Sequence, residues 1–358
     1  MQELLNRHIS VDYIRNISER IGHAFVGTGE ATGIGHAHGK AILIGEHTVV
    51  HGAPAIAIPL PAMPVRAVAR PYLPDTDSDV TSDKSFGFVA GLADTKFSPS
   101  GPRVAVEEAL RQWGLGAHPV RITVDCDIPF ARGLGSSAAI TSAAVRAVAD
   151  LYGRRLDTAA LYDFVQCGEQ IAHGRASGVD ARAVLATGPI WFYQGAARAV
   201  TTELDAALVI ADTGMPGVTE RAVTGVSRLA DRDPVFIQRL VDHASGLVHV
   251  AANDLAAGDA ESLGHTMSDF QRILVSLGVS TPSIDLLVST ALGAGAFGAK
   301  LTGAGMGGCV VALTSTATAG AVSRALRRVD ALRTWTVDTR GRHLSTWPAS
   351  TLGHGGRQ

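Results

Sequence analysis

The run Pro129-Phe130-Ala131-Arg132-Gly133-Leu134-Gly135-Ser136-Ser137-Ala138-Ala139 holds the residues best suited to chemistry, because a glycine-rich turn leads straight into an alanine-rich helix pattern. Two glycines in three residues let the backbone approach a bulky anion. The helix start then offers unpaired N–H groups at the positive end of its dipole. Gly133, Leu134, Gly135, Ser136, Ser137 and Ala138 therefore form a candidate phosphate cradle with two hydroxyls in it. The plainer alternative is an N-capped helix after a tight turn, and the motif alone does not separate the two. No Gly-x-x-x-x-Gly-Lys-Ser/Thr P-loop occurs in the chain, and no Gly-x-Gly-x-x-Gly opens the first strand-helix unit, so a P-loop and a Rossmann site are both disfavoured. No Gly-x-Ser-x-Gly elbow surrounds Ser137 either, which argues against a serine hydrolase.

Three further segments share the polar and glycine-rich character of this turn. They are Gly39-Lys40-Ala41-Ile42-Leu43-Ile44-Gly45-Glu46-His47, then Gly168-Glu169 through Ser177-Gly178-Val179-Asp180, then Lys300-Leu301-Thr302-Gly303-Ala304-Gly305-Met306-Gly307-Gly308-Cys309. Together with Leu277-Gly278-Val279-Ser280, they make residues 38 to 312 resemble the small-molecule kinases that include galactokinase, homoserine kinase, mevalonate kinase and phosphomevalonate kinase. The mevalonate kinase family fits above the others. The resemblance implies an α+β fold of two domains, with ATP and substrate in the cleft between them and Mg2+ on the ATP phosphates. It implies transfer of phosphate to the primary alcohol of mevalonate, giving 5-phosphomevalonate and ADP. A relative acting on another small alcohol, such as phosphomevalonate or a sugar, and a ligand sensor that has lost catalysis remain the alternatives. Against the sensor stands the joint presence of Lys40, Ser137, Glu169 and Asp180, since a sensor needs no base and no activating ammonium.

The resemblance also implies roles for single residues. Asp180 matches the catalytic aspartate that accepts the proton of the attacking alcohol. A free carboxylate of pKa ~4 cannot strip an alcohol in the ground state, so such a base orients the hydroxyl and takes its proton late. Lys40 supplies the positive charge that stabilises the developing oxyanion and the γ-phosphate. Ser137 and Glu169 match positions that hold Mg2+; a hard cation wants oxygen ligands, and few from protein when phosphates supply the rest. Glu46 and His47 match a pair that lies beside the substrate, and Thr219 matches a threonine near the catalytic lysine, which makes it a third candidate for substrate binding. A zinc pair of His47 and His51 is the rival use of the histidines, disfavoured because Thr48-Val49-Val50 reads as strand and no His-Glu-x-x-His order exists. Gly303, Ala304 and Gly305 belong to a second loop approaching the nucleotide. Met306 stands where the family usually has another glycine, so a positive φ there would cost of order ~1 kcal/mol or more. Ala181 after the aspartate is a second departure from the pattern.

These residues need elements to place them. Ala41 to Ile44 and Ala55 to Leu60 read as short strands, with Pro54 and Pro59 limiting the second to a sheet edge or an end. Ile122, Val124 and Cys126 alternate with polar residues and form a strand leading into the glycine turn. The helix from Ser136 to about Tyr152 has small residues on nearly every face, which predicts burial against neighbouring backbone. A second helix spans about 158–173, and strands follow near 188–193 and 206–211. Helices are expected near 218–230, 234–256, 259–276, 283–293 and 316–328, and strands near 298–302, 308–313 and 333–338. Leu5, Ile9, Tyr13, Ile17 and Ile21, with Gly22 after them, predict an amphipathic N-terminal helix. At 358 residues two domains are expected, because single cores rarely exceed ~250–300 residues. The boundary falls near residue 203, giving 1–203 and 204–358. Runs of strands and helices that do not alternate strictly make the class α+β.

A formal net charge of −2 carries no basic footprint for nucleic acid. Three scattered cysteines, Cys126, Cys167 and Cys309, suggest free thiols in a reducing compartment, for which the cytoplasm fits best. No apolar run reaches the ~20 residues of a membrane span, and residues 1 to 30 lack a signal-peptide layout. The partner expected is therefore a small-molecule substrate, with no nucleic acid and no membrane; a homodimer is compatible with the same composition.

Overall fold

The protein is described here by a computed structural model covering residues 31–72, 85–91, 100–116, 118–173 and 176–339. The expected N-terminal helix of Leu5 to Ile21 lies outside the described residues. Two antiparallel sheets organise the rest. The first is built from β1 (Gly33–Ile44), β2 (Ala55–Pro71), β3 (Ser85–Ala90), β4 (Val120–Cys126), β5 (Ile190–Tyr193) and β6 (Ala196–Ala199). The second joins β7 (Ala207–Asp212), β8 (Gly298–Thr302), β9 (Cys309–Thr314) and β10 (Arg333–Asp338) in the order β10-β7-β9-β8.

Strand β2 corrects the expectation drawn from its prolines. It runs through Pro59 for 17 residues in the interior of the sheet, paired with β1 along one edge. On its other edge β5 takes Ala55 to Ala57 and β4 takes Val65 to Pro71. Residues 58–64, which include Pro59, Pro61 and Pro64, fall in the gap between those two ladders. The register with β1 also breaks there, between His38 and Gly39. A missing N–H is harmless where no ladder would use it.

Helix α1 (Gly101–Gln112) crosses α3 (Thr158–His173), while α2 (Ser136–Leu151) lies on β1 and β2. As its small residues predict, α2 is buried along most of its length. It approaches so closely that a Cβ on Gly35 of β1 would stand 2.0 Å from the Ala143 carbonyl oxygen. A short α4 (Val179–Val184) follows. Beyond β7 come α5 (Thr219–Arg232), α6 (Pro234–Ala257), α7 (Ala260–Ser276), α8 (Pro282–Gly293) and α9 (Ala319–Arg328). Helices α7, α8 and α9 pack on the second sheet, and α6 and α7 reach back to the first. Sidewise contact of β1 with β8 completes the join: the Ile42 N–H donates to Thr302 Oγ1 at 3.0 Å, and that hydroxyl donates to the Ile42 carbonyl at 3.1 Å. Among the described residues, no helix is long and apolar enough to cross a membrane.

Candidate active site

Strand β1 carries Lys40 into the interior, where 1% of it remains exposed. Its N–H donates to the Leu134 carbonyl at 3.0 Å and its ammonium to the Gly133 carbonyl at 3.1 Å, so the glycine turn holds both ends of the residue. The same ammonium lies 2.9 Å from Asp180 Oδ1. Asp180 sits in the first turn of α4, behind Gly178. Its side chain keeps 35% exposure, toward the cleft that it lines.

Gly135 takes φ 73 and serves as the N-cap of α2, which no side chain caps. The first-turn N–H groups and the Ser136 and Ser137 hydroxyls are therefore not spent on a side-chain capping bond. A Cβ at Gly135 would stand 2.7 Å from Lys40 Cγ, so this glycine makes room for the lysine stem. A Cβ on Gly133 would meet the Thr302 carbonyl oxygen at 2.5 Å, and one on Gly303 would meet Gly133 Cα at 2.5 Å. The two glycine loops thus touch, and a cleft of about 870 Å³ opens beside them. Ser136, Ser137 and Glu169 line that cleft, as do Gly303, Ala304 and Gly305. Leu134 and Ala138 have their side chains in the core and can offer only backbone.

His47 lies at the centre of a γ-turn of positive φ, with φ 61 and ψ −47. The Thr48 N–H closes it onto the Glu46 carbonyl at 2.6 Å. A non-glycine residue in this region stores of order ~1–3 kcal/mol, held only where the surroundings over-determine it. Here the clamp is the Ala304 carbonyl, 2.8 Å from His47 Nε2. A carbonyl can only accept, so Nε2 carries the proton and Nδ1 keeps a lone pair. Burial lowers the His47 pKa, which favours the neutral ring. Residues Thr48–His51 form a 3-10 turn, a correction to the strand expected from Thr48-Val49-Val50. Thr219 is the first residue of α5, exposed at the cleft.

Comparison with known proteins decides the family. The N-terminal domain of the GHMP kinases matches residues 102–188 and their C-terminal domain residues 251–331. The mevalonate kinase of Aeropyrum pernix is 35% identical over 304 residues, spanning 82% of this chain and 91% of that protein. The chain belongs to the mevalonate kinase family of GHMP kinases. The mevalonate kinase of Methanothermobacter thermautotrophicus is 34% identical over 277 residues, 76% of this chain and 87% of its own. The crystal structure of the L. major mevalonate kinase in complex with R-mevalonate superposes with a TM-score of 0.70 at 27% identity, covering 87% of this chain and 96% of that one. The two-domain α+β expectation holds, and kinases of this family use ATP.

Two cleft residues, and a third buried behind Glu46, had no role in the sequence reading. Arg132, inside the glycine turn, donates from Nε to Asp212 Oδ1 at 2.7 Å and from Nη2 to the Gly214 carbonyl at 3.2 Å, tying the turn to the end of β7. Its signal was an Asp closing the apolar run of β7. Gln166, one turn before Glu169 on α3, donates to the Ala176 carbonyl at 2.9 Å and steadies the segment that enters α4. Lys300 stands fully buried in β8, and a lysine amid Ala299, Leu301 and Thr302 was the visible anomaly. Met306 does take a positive φ of 54, so the strain anticipated for a side chain at this glycine position is present. Its N–H is held by the Val279 carbonyl at 2.8 Å.

Proposed function

We propose that this cleft phosphorylates the primary alcohol of mevalonate at the expense of ATP, with Asp180 as the base and Lys40 as the stabilising cation. The observation that carries the reading is the 2.9 Å Lys40–Asp180 pair beside two touching glycine loops. Asp180 Oδ1 orients the hydroxyl and receives its proton as the alcohol oxygen bonds to the γ-phosphorus and the bond from that phosphorus to the ADP oxygen breaks. Lys40, fixed by the Gly133 carbonyl, stands ready to balance the charge on the oxygens in flight. Gly133 to Ala138 and Gly303 to Gly305 surround the phosphates. Glu46, His47 and Thr219 face the acceptor, His47 through Nδ1.

Among the described residues, no cluster of three or more His, Cys, Asp or Glu could hold a metal. Ser137 and Glu169 fit Mg2+ in another way, as one hydroxyl and one carboxylate on the cleft wall for a cation that phosphate oxygens complete. Bound there, Mg2+ would neutralise phosphate charge. The division into domains 1–203 and 204–358 is supported by the lack of any strand between Ala199 and Ala207 among the described residues, where the sheets change over.

A coupled ADP-release assay over a panel of alcohols tests the reading. Mevalonate should have a kcat/KM at least ~10²-fold above phosphomevalonate, galactose or homoserine, because unpaired buried polar groups in a wrong complex each cost about 1–3 kcal/mol. Asp180→Asn should lower kcat on mevalonate by ~10²- to 10⁴-fold with ATP binding retained. Equal turnover of phosphomevalonate, or none of mevalonate, would reject the substrate assignment.

A further inference from the structure

Lys300 is a buried charged group that no step above employs. Its ammonium reaches Glu46 Oε1, the Ile42 carbonyl at 3.4 Å and the Leu301 carbonyl at 2.6 Å. Those three acceptors use all three of its protons. Glu46 is as deeply buried, with 1% exposed, yet only one of its oxygens is engaged. Oε2 has no partner among the described residues, and Glu46 lines the cleft. A buried carboxylate oxygen without a donor is costly, and in a binding cleft a ligand's hydroxyl would satisfy it. Four residues beyond Lys300, the Ala304 carbonyl clamps His47. Both polar residues of this wall are thus held from one segment of the second sheet.

Resting on the mevalonate reading, we propose that Lys300 is a positioning residue that pins Glu46 Oε1 and leaves Oε2 as the acceptor for the substrate's tertiary hydroxyl. Mevalonate has two hydroxyls. The primary one reacts at Asp180, so the tertiary one is the remaining hydroxyl donor for a carboxylate on the same wall. Burial raises the Glu46 pKa and lowers that of Lys300, while each group's charge opposes the other's shift. The Lys300 ammonium therefore favours the ionised carboxylate, an acceptor with no proton of its own. A site built to bond a hydroxyl rejects the analogue that lacks it.

The test compares mevalonate with the analogue carrying hydrogen in place of the tertiary hydroxyl, in the full chain with ATP and Mg2+. Wild type should show a KM at least ~10-fold higher for the analogue, with the KM for ATP unchanged. Lys300→Met alone leaves an uncompensated buried carboxylate and endangers folding, so it is paired with Glu46→Met, which removes both charges and the carboxylate acceptor together and leaves an apolar pair. In that double variant the two KM values should converge to within about threefold, the ATP KM staying near wild type. Lys300→Gln, which keeps an N–H donor for Oε1, should retain part of the discrimination. Failure of wild type to discriminate, or full discrimination in the double variant, overturns the proposal. Absence of any activity on mevalonate in wild type overturns the substrate reading itself, and this inference with it.

Discussion

Gly135→Ala probes how the glycine turn serves Lys40, the proposed stabilising cation. At φ 73 an L-residue costs about 1–2 kcal/mol, which should appear as lost stability in a urea or thermal melt. The new Cβ would stand 2.7 Å from Lys40 Cγ and 3.0 Å from Cε. Ordinary carbon contacts lie at about 3.5–4.0 Å, so the lysine stem must retreat by about 1 Å. That shift carries Nζ away from Asp180 Oδ1, now at 2.9 Å, and from the Gly133 carbonyl, now at 3.1 Å. A misplacement of this size costs about 10²-fold in turnover. The assay is steady-state kcat by coupled ADP release, measured for Gly135→Ala, Lys40→Ala and the double variant. In the Lys40→Ala background the two nearest obstructing atoms are gone, and the next is Val184 Cγ1 at 3.3 Å. The second substitution should then lower kcat by no more than about twofold while still costing stability. Multiplicative losses in kcat would refute the coupling, and a rise in the ATP KM with kcat intact would return Gly135 to the phosphates alone.

Ser137→Ala and Glu169→Gln should each raise the Mg2+ concentration needed for half-maximal rate, since each removes an oxygen ligand or its charge; unchanged Mg2+ titrations for both would remove them from the metal. Burial lowers the pKa of both His47 and His51 from the ordinary 6.5. The unfolded chain therefore binds protons there that the folded chain does not, and stability is full above pH 6.5 and lost as pH falls toward the lowered folded values. Thermal midpoints taken from about pH 7.5 down to about pH 5.5 should fall, and His51→Gln should flatten that slope. A slope unchanged by His51→Gln would remove His51 from the pH dependence.

The local chemistry of this chain was legible in its sequence because it depends on neighbours in the chain. The alternation around Val124 and the alanine face of α2 fixed strand and helix, and the ranges 298–302 and 333–338 coincide with β8 and β10. The glycine turn before Ser136 was recognisable for the same reason: its conformation is set by two residues without a Cβ. Residues far apart in the chain were a different matter. That Gly135 is needed to seat Lys40, that Arg132 reaches Asp212, and that Lys300 neutralises Glu46 across 254 positions are properties of packing between elements. No period or spacing encodes them. Pro59 shows the same limit from the other side. Its local propensity argues for an edge, and only the arrangement of β4 and β5 along β2 leaves the gap in which a missing N–H costs nothing. The types of the proposed reacting groups were thus written in the chain, while their ionic partners and strained backbone came from the folding of one sheet against the other.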